Sequence, residues 1–150
     1  MKTIEEAIQS RFRNEKHKAI VNILYTSKYI ESKIDAFIKP YQLSHQQYNI
    51  LRIVRGAGGK PVSLKYIKER MLDKMPDASR IVDKLYQKAL LKRVECLKDR
   101  RSVDITITEK GLQLLAQMDK NSEEMDNLLG ILEESQLQTL NHLLDLVRNE

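Results

Sequence analysis

The chain has 150 residues, 31% of them charged and 41% apolar, which suits one globular domain with a single core. No apolar run approaches the roughly 20 residues of a membrane span, and the charged, amphipathic start MKTIEEAIQSRFRNEK lacks the continuous apolar stretch of a secretory signal, so the expected location is cytoplasmic. The net charge of +5 is unevenly spread: residues 60–101 carry 13 basic and 6 acidic side chains, and residues 102–150 carry 3 and 10. Positive charge in mid-chain is the footprint of a nucleic-acid face, from which the acidic tail should point away.

Residues 4–39 read as one long helix with a candidate break near 14–17. Ile20, Ile23, Leu24, Ser27, Ile30, Ile34 and Phe37 recur at spacings of three and four, which predicts an inward stripe. Pro40 ends it. Ser44 opens the next helix with Gln47 completing a capping box; Tyr48, Leu51 and Val54 form its buried face, and Gly56, Gly58 and Gly59 stop it. Pro61 and Val62 suit a short extended piece. Ser63 caps a third helix with Leu64, Ile67 and Met71 inward.

A fourth helix is predicted from about Pro76, a residue suited to a first turn, to about Lys88. Ala78, Ile81, Val82 and Leu85 share its apolar face. Asp77, Ser79, Arg80, Asp83, Lys84, Gln87 and Lys88 share the other. Two β-capable runs, 90–97 and 103–107, then flank a cationic tip and read as a hairpin. Thr108 caps a fifth helix with Leu112, Leu115 and Met118 inward. Gly130 marks a bend, Ser135 with Gln138 forms a second capping box, and a last helix carries Leu137, Leu140, Leu143, Leu144 and Val147. Cys96 is the only cysteine, so no intrachain disulfide forms, and it reads as a packed thiol.

The terminal helices are too apolar to stay uncovered. Ile4, Ile8 and Phe12 extend beyond any evident partner within the chain. A two-fold homodimer built from both chain ends is therefore expected. The basic helix suits a major groove, and the neighbouring hairpin can place a cation in the minor groove, where the potential is most negative.

The strings LSHQQYNILRIV, SRIVDKLYQKALLKR and KDRRSVDITITEKG, in this order of elements, resemble the MarR family of winged-helix transcriptional regulators. The sharpest is the last: a D-R-R tip, a strand, then T-x-x-G opening a helix. The resemblance implies a mainly α fold with a small β-hairpin wing. Residues 40–111 would form the winged helix-turn-helix, and residues 1–39 and 112–150 the dimerisation helices of one domain. It implies double-stranded DNA as partner, a pseudo-palindromic operator, and a ligand-responsive repressor. One departure is Ala89, where members commonly carry glycine to relieve a left-handed helix end.

On this reading Ser79, Arg80 and Lys84 face DNA from the fourth helix. Arg80 suits either a bidentate contact to guanine or a phosphate. Asp77 at the helix start suits the dipole more than a cytosine. Ser63 and Lys65 suit a phosphate at the preceding helix. The resemblance implies that one wing arginine enters the minor groove while Asp99 holds the neighbouring one and shapes the tip; of the two, Arg100 is assigned to the groove and Arg101 to Asp99, with Lys98 adding a phosphate contact. The resemblance also implies a cleft for a small aromatic or phenolic effector. Ile23, Ser27, Ile30, Tyr41, His45, Tyr48 and Met71 are candidates to line it, with plain core packing as the alternative for each.

His17, His45 and His142 form no ligand spacing, so neither a metal nor a cofactor is expected. No phosphate loop, dinucleotide glycine pattern, nucleophile elbow or His–Cys pair appears, which argues against an enzyme. The rival reading is a winged helix that binds protein or RNA and no operator.

Overall fold

The computed structural model describes residues 2–73, 77–95 and 103–149. Its order is α1 (Ile4–Ile8), α2 (Glu15–Ile38), a 3-10 turn (Lys39–Tyr41), α3 (His45–Gly56), α4 (Leu64–Arg70), α5 (Ala78–Gln87), β1 (Leu91–Glu95), β2 (Val103–Ile107), α6 (Glu109–Asp119), α7 (Glu123–Asp126), a second 3-10 turn (Asn127–Leu129) and α8 (Glu134–Arg148). This is the predicted architecture, a helical chain with one small hairpin. None of the described helices is long and apolar enough to cross a membrane.

Local signals fix most helix starts. The Ser44 hydroxyl accepts from the Gln47 amide at 3.2 Å while Gln47 Oε1 accepts from the Ser44 amide at 3.1 Å, so two otherwise orphaned donors are satisfied reciprocally. Ser63 accepts from the Tyr66 amide at 3.1 Å and Thr108 from the Gly111 amide at 3.0 Å. Gly58 and Gly59, at φ 63° and 82°, turn the chain after α3 at low steric cost. Val62 then exchanges two backbone hydrogen bonds with Ile105, at 2.9 and 2.8 Å. The short extended piece thus becomes a third rung beside the antiparallel pair β1–β2, which runs in register from Leu91 opposite Ile107 to Glu95 opposite Val103.

One core joins these elements. Ile38, Ile50, Leu51, Val54, Ile67, Val82, Leu85, Leu91, Ile105, Leu115 and Met118 are all fully buried, and at roughly 2 kcal/mol per large apolar side chain they dominate cohesion. Gly111 sits where α6 crosses the exit of the hairpin. A Cβ there would lie 2.5 Å from the Leu90 carbonyl oxygen, so only glycine lets the two backbones approach. The Thr108 hydroxyl reaches the same corner, at 2.8 Å from the Ala89 carbonyl and 3.1 Å from that of Leu90. Ala89 takes the left-handed conformation, φ 58°, that glycine would adopt freely; the chain keeps the turn and bears a strain of roughly 1 kcal/mol.

Several expectations are corrected. The break in the first helix falls earlier: α1 stops at Ile8, Gln9 is left-handed, and Asn14 caps α2. Ile4 is buried within the chain, so it does not need an outside partner. The upper part of the α2 stripe is not covered, with Leu24 62% exposed. α5 begins at Ala78, so Pro76 precedes the helix and falls outside the described residues. Leu112 is exposed because Gly111 occupies the close contact instead. The chain breaks again between Asp119 and Glu123. The last capping box pairs Glu133 with Gln136, which puts Ser135 inside α8.

Candidate nucleic-acid interface

α5 divides cleanly. Ala78, Val82 and Leu85 are buried, while Ser79, Arg80 and Lys84 are exposed. This follows from the helical period: the apolar positions recur every three or four residues, so the polar ones are turned to solvent. The Arg80 side chain is 71% exposed and lies 3.7 Å from Asp77. That contact is too long for a strong hydrogen bond, so the guanidinium keeps its donors for another partner. Asp77 occupies the N-cap position of α5, where an acid suits the helix dipole, although its side chain makes no capping hydrogen bond and meets the Arg80 guanidinium instead.

The preceding helix presents a second polar edge. Ser63 is half-buried as the cap of α4, and its hydroxyl is engaged by the Tyr66 amide. Lys65 is 86% exposed, 4.0 Å from Glu69, and free to reach an anion.

Arg93, a residue not singled out from the sequence, ties the hairpin to α5. Its guanidinium pairs with Asp83 and lies 5.7 Å from the Tyr86 ring centre. Arg93 and Asp83 stand ten residues apart on different elements, so no local spacing advertises the pair. Two further cations brace the end of the helix: Lys88 donates to the Gln42 carbonyl at 2.5 Å, and Lys110 donates to the Lys88 carbonyl at 3.0 Å. The mid-chain positive charge is therefore partly structural and partly free. Lys98, Asp99, Arg100 and Arg101, the expected wing tip, lie outside the described residues, as does Cys96.

A cleft of about 1120 Å³ opens between α2, the start of α3, the Met71–Asp73 segment and α8. Ile23, Ser27, Ile30, His45 and Met71 line it, together with Asn22, Glu31, Asn49 and Leu140, which the sequence did not single out. Tyr48 is instead buried in the core. The Tyr41 hydroxyl accepts from the Asn121 amide at 2.9 Å, and its ring packs near Phe37; neither tyrosine is on the cleft wall. Lys28 holds the Glu31 carboxyl below its ordinary value through a 2.7 Å hydrogen bond, with a smaller contribution from the charge of His45. Among the described residues, no group of three or more His, Cys, Asp or Glu side chains is placed to hold a metal ion.

Comparisons with known proteins agree with this geometry. Residues 43–103 match the model of the MarR family, a span that runs from the approach to α3 to the first residue of β2. The chain is 29% identical over 116 residues to the HTH-type transcriptional regulator MhqR of Bacillus subtilis, covering 77% of this chain and 79% of that protein. Its fold is similar to that of a mutant MarR from E. coli complexed with operator DNA, with a TM-score of 0.80, 20% identity and coverage of 92% and 99% of the two chains. It is also similar to that of the organohalide-sensing regulator RdhR-CbdbA1625 in its 2,4-dichlorophenol-bound form, with a TM-score of 0.81, 20% identity and coverage of 94% and 86%. A capped helix-turn-helix, an α5 whose polar face is free and a hairpin wing thus coincide with the segment of this chain, residues 43–103, that carries the match to the MarR family, on a fold shared with regulators of that family.

Proposed function

We propose that the protein is a homodimeric, ligand-responsive repressor that grips a pseudo-palindromic operator through both grooves. The observation that carries this reading is the free outward face of α5, where Ser79, Arg80 and Lys84 stand exposed. In a docked helix they meet base edges and phosphates. Ser63 and Lys65 contact the backbone beside them. Arg100 carries the wing into the minor groove, Lys98 adds a phosphate contact, and Asp99 holds Arg101 and shapes the tip.

Dimerisation is supported by surface area. A compact 17.5 kDa monomer exposes roughly 7,900 Å², whereas this chain exposes 11607 Å². Part of the exposed surface is apolar and sits on α2 and α8, where Ile20, Leu24, Leu143, Leu146 and Val147 are uncovered. Two copies pairing through these helices set the spacing of the two α5 helices at about one turn of DNA. A molecule in the α2–α8 cleft then changes operator affinity to the extent that it binds one spacing better than another. The binding of 2,4-dichlorophenol by a regulator of the same fold supports an aromatic or phenolic effector.

The test is a binding series on operator fragments selected from genomic DNA. With about eight phosphates neutralised per dimer, the logarithmic salt slope should be on the order of −7. Arg80→Ala should weaken binding by about 1–3 kcal/mol if Arg80 reads a base, or lower the slope by about one per subunit if it holds a phosphate. A slope near zero, or an Arg80→Ala and Arg100→Ala pair that binds as well as the parent, overturns the reading. Loss of the protein should raise transcription from the bound promoter if it is a repressor, and lower it if it activates.

A further inference from the structure

We propose that the α2–α8 cleft selects its occupant by charge, admitting neutral or cationic aromatic compounds and disfavouring carboxylates. The inference deepens the effector reading above and rests on it. Among the described residues, the formally charged side chains on the wall are Lys28, Glu31, Asp35 and Asp73. The one ammonium is already engaged, since Lys28 Nζ lies 2.7 Å from Glu31 Oε2. The Ser27 hydroxyl donates to the other Glu31 oxygen at 3.3 Å, so the pair is held on both sides.

The two aspartates are not balanced in this way. Asp73 meets the neutral amide of Gln46 at 3.4 Å, and no ion pair among the described residues includes Asp35 or Asp73. The rest of the wall offers apolar surface from Ile23, Ile30, Met71 and Leu144, which suits a ring. Among the described residues, a carboxylate entering this space meets three carboxylates against one engaged ammonium and the His45 imidazole, so the wall stays net negative whether or not His45 carries a proton. Concave, partly apolar walls strengthen that field. A ligand bearing an ammonium or a hydroxyl donor instead finds acceptors in the aspartates and in the side-chain amides of Asn22 and Asn141.

The experiment titrates the full-length protein calorimetrically with three probes of similar shape: para-hydroxybenzylamine, para-hydroxybenzyl alcohol and para-hydroxybenzoate. The amine and the alcohol should bind about tenfold or more tightly than the benzoate. The gap should narrow in the double variant Asp35→Asn, Asp73→Asn, and at raised salt. Ser27→Trp, which projects an indole into the cleft from the α2 wall beside Ile23 and Ile30, should abolish binding of all three. Benzoate binding as tightly as the amine, with Ser27→Trp still abolishing it, overturns charge selection and leaves the effector cleft standing. Binding that survives Ser27→Trp, or no binding by any probe, overturns the cleft itself and the selection with it.

Discussion

The winged-helix half and the terminal helices differ in how they satisfy their apolar residues. From Ile38 to Met118 the large side chains close on one another, and eleven of them are fully buried. In α2 only Ile38 is buried, and in α8 nothing is. Both regions carry a helical apolar stripe, so periodicity alone does not separate a stripe that packs within a chain from one that waits for a second copy. What separates them is the presence of a facing element. The hairpin, α3 and α4 pack around α5, whereas the outer surfaces of α2 and α8 face solvent.

The comparison can be broken most sharply by matched truncations. Leu85→Ala should lower the unfolding free energy by about 2–5 kcal/mol at any protein concentration, because it empties a buried site. Leu143→Ala should cost little at the level of one chain; it should lower the melting temperature at protein concentrations where the parent is dimeric and leave it unchanged where both proteins are dilute enough to be monomers. Equal, concentration-independent losses in denaturant unfolding would remove the distinction between the two halves.

Smaller changes sharpen it. Gly111→Ala should destabilise by about 1–3 kcal/mol, since its methyl group would sit 2.5 Å from the Leu90 carbonyl, whereas Gly56→Ala, with nothing within 4 Å, should be neutral or better; thermal unfolding of the pair checks this. Ala89→Gly should stabilise by about 0.5–1 kcal/mol by relieving the left-handed turn, a rise in urea midpoint with no change in slope.

The smallest effect belongs to the chain start. The Lys18 ammonium, 2.6 Å from Glu5, holds that carboxyl below its ordinary value of 4.5, chiefly through their hydrogen bond. The pair's contribution is therefore present above that pH and fades as the pH falls through the lowered value. Lys18→Met should flatten this part of the acid limb, read as the pH dependence of the melting temperature.

The sequence disclosed local features well. Ser44, Ser63 and Thr108 start helices as expected, because a cap is chemistry within four residues. It disclosed less where distant chain decides. Leu112 fits the period of α6, yet the carbonyl of Leu90, twenty-two residues back, requires the glycine beside it to face inward. Glu133 takes the capping place that residue preference assigns to Ser135, so α8 starts two residues earlier, with the Gln136 side chain accepting from the Glu133 amide. On the site, the outward set Ser79, Arg80 and Lys84 was legible because burial of Ala78, Val82 and Leu85 fixes the rotation of α5. Tyr41 and Tyr48 could not be told from cleft residues, because their partners Asn121 and the core are set by tertiary contacts.

The Thr108 corner has a mechanical consequence. One hydroxyl oxygen bridges the carbonyls that leave α5 and the amide that begins α6, so the joint has no slack. If α6 turns as a rod, the Ala89–Leu90 peptide must travel with it, or the two contacts of the Thr108 hydroxyl to those carbonyls and the bond from the Thr108 amide to the Leu90 carbonyl must part together. A hinge would absorb such a twist; this joint behaves as a rigid elbow, delivering rotation of the chain's C-terminal half to the foot of α5.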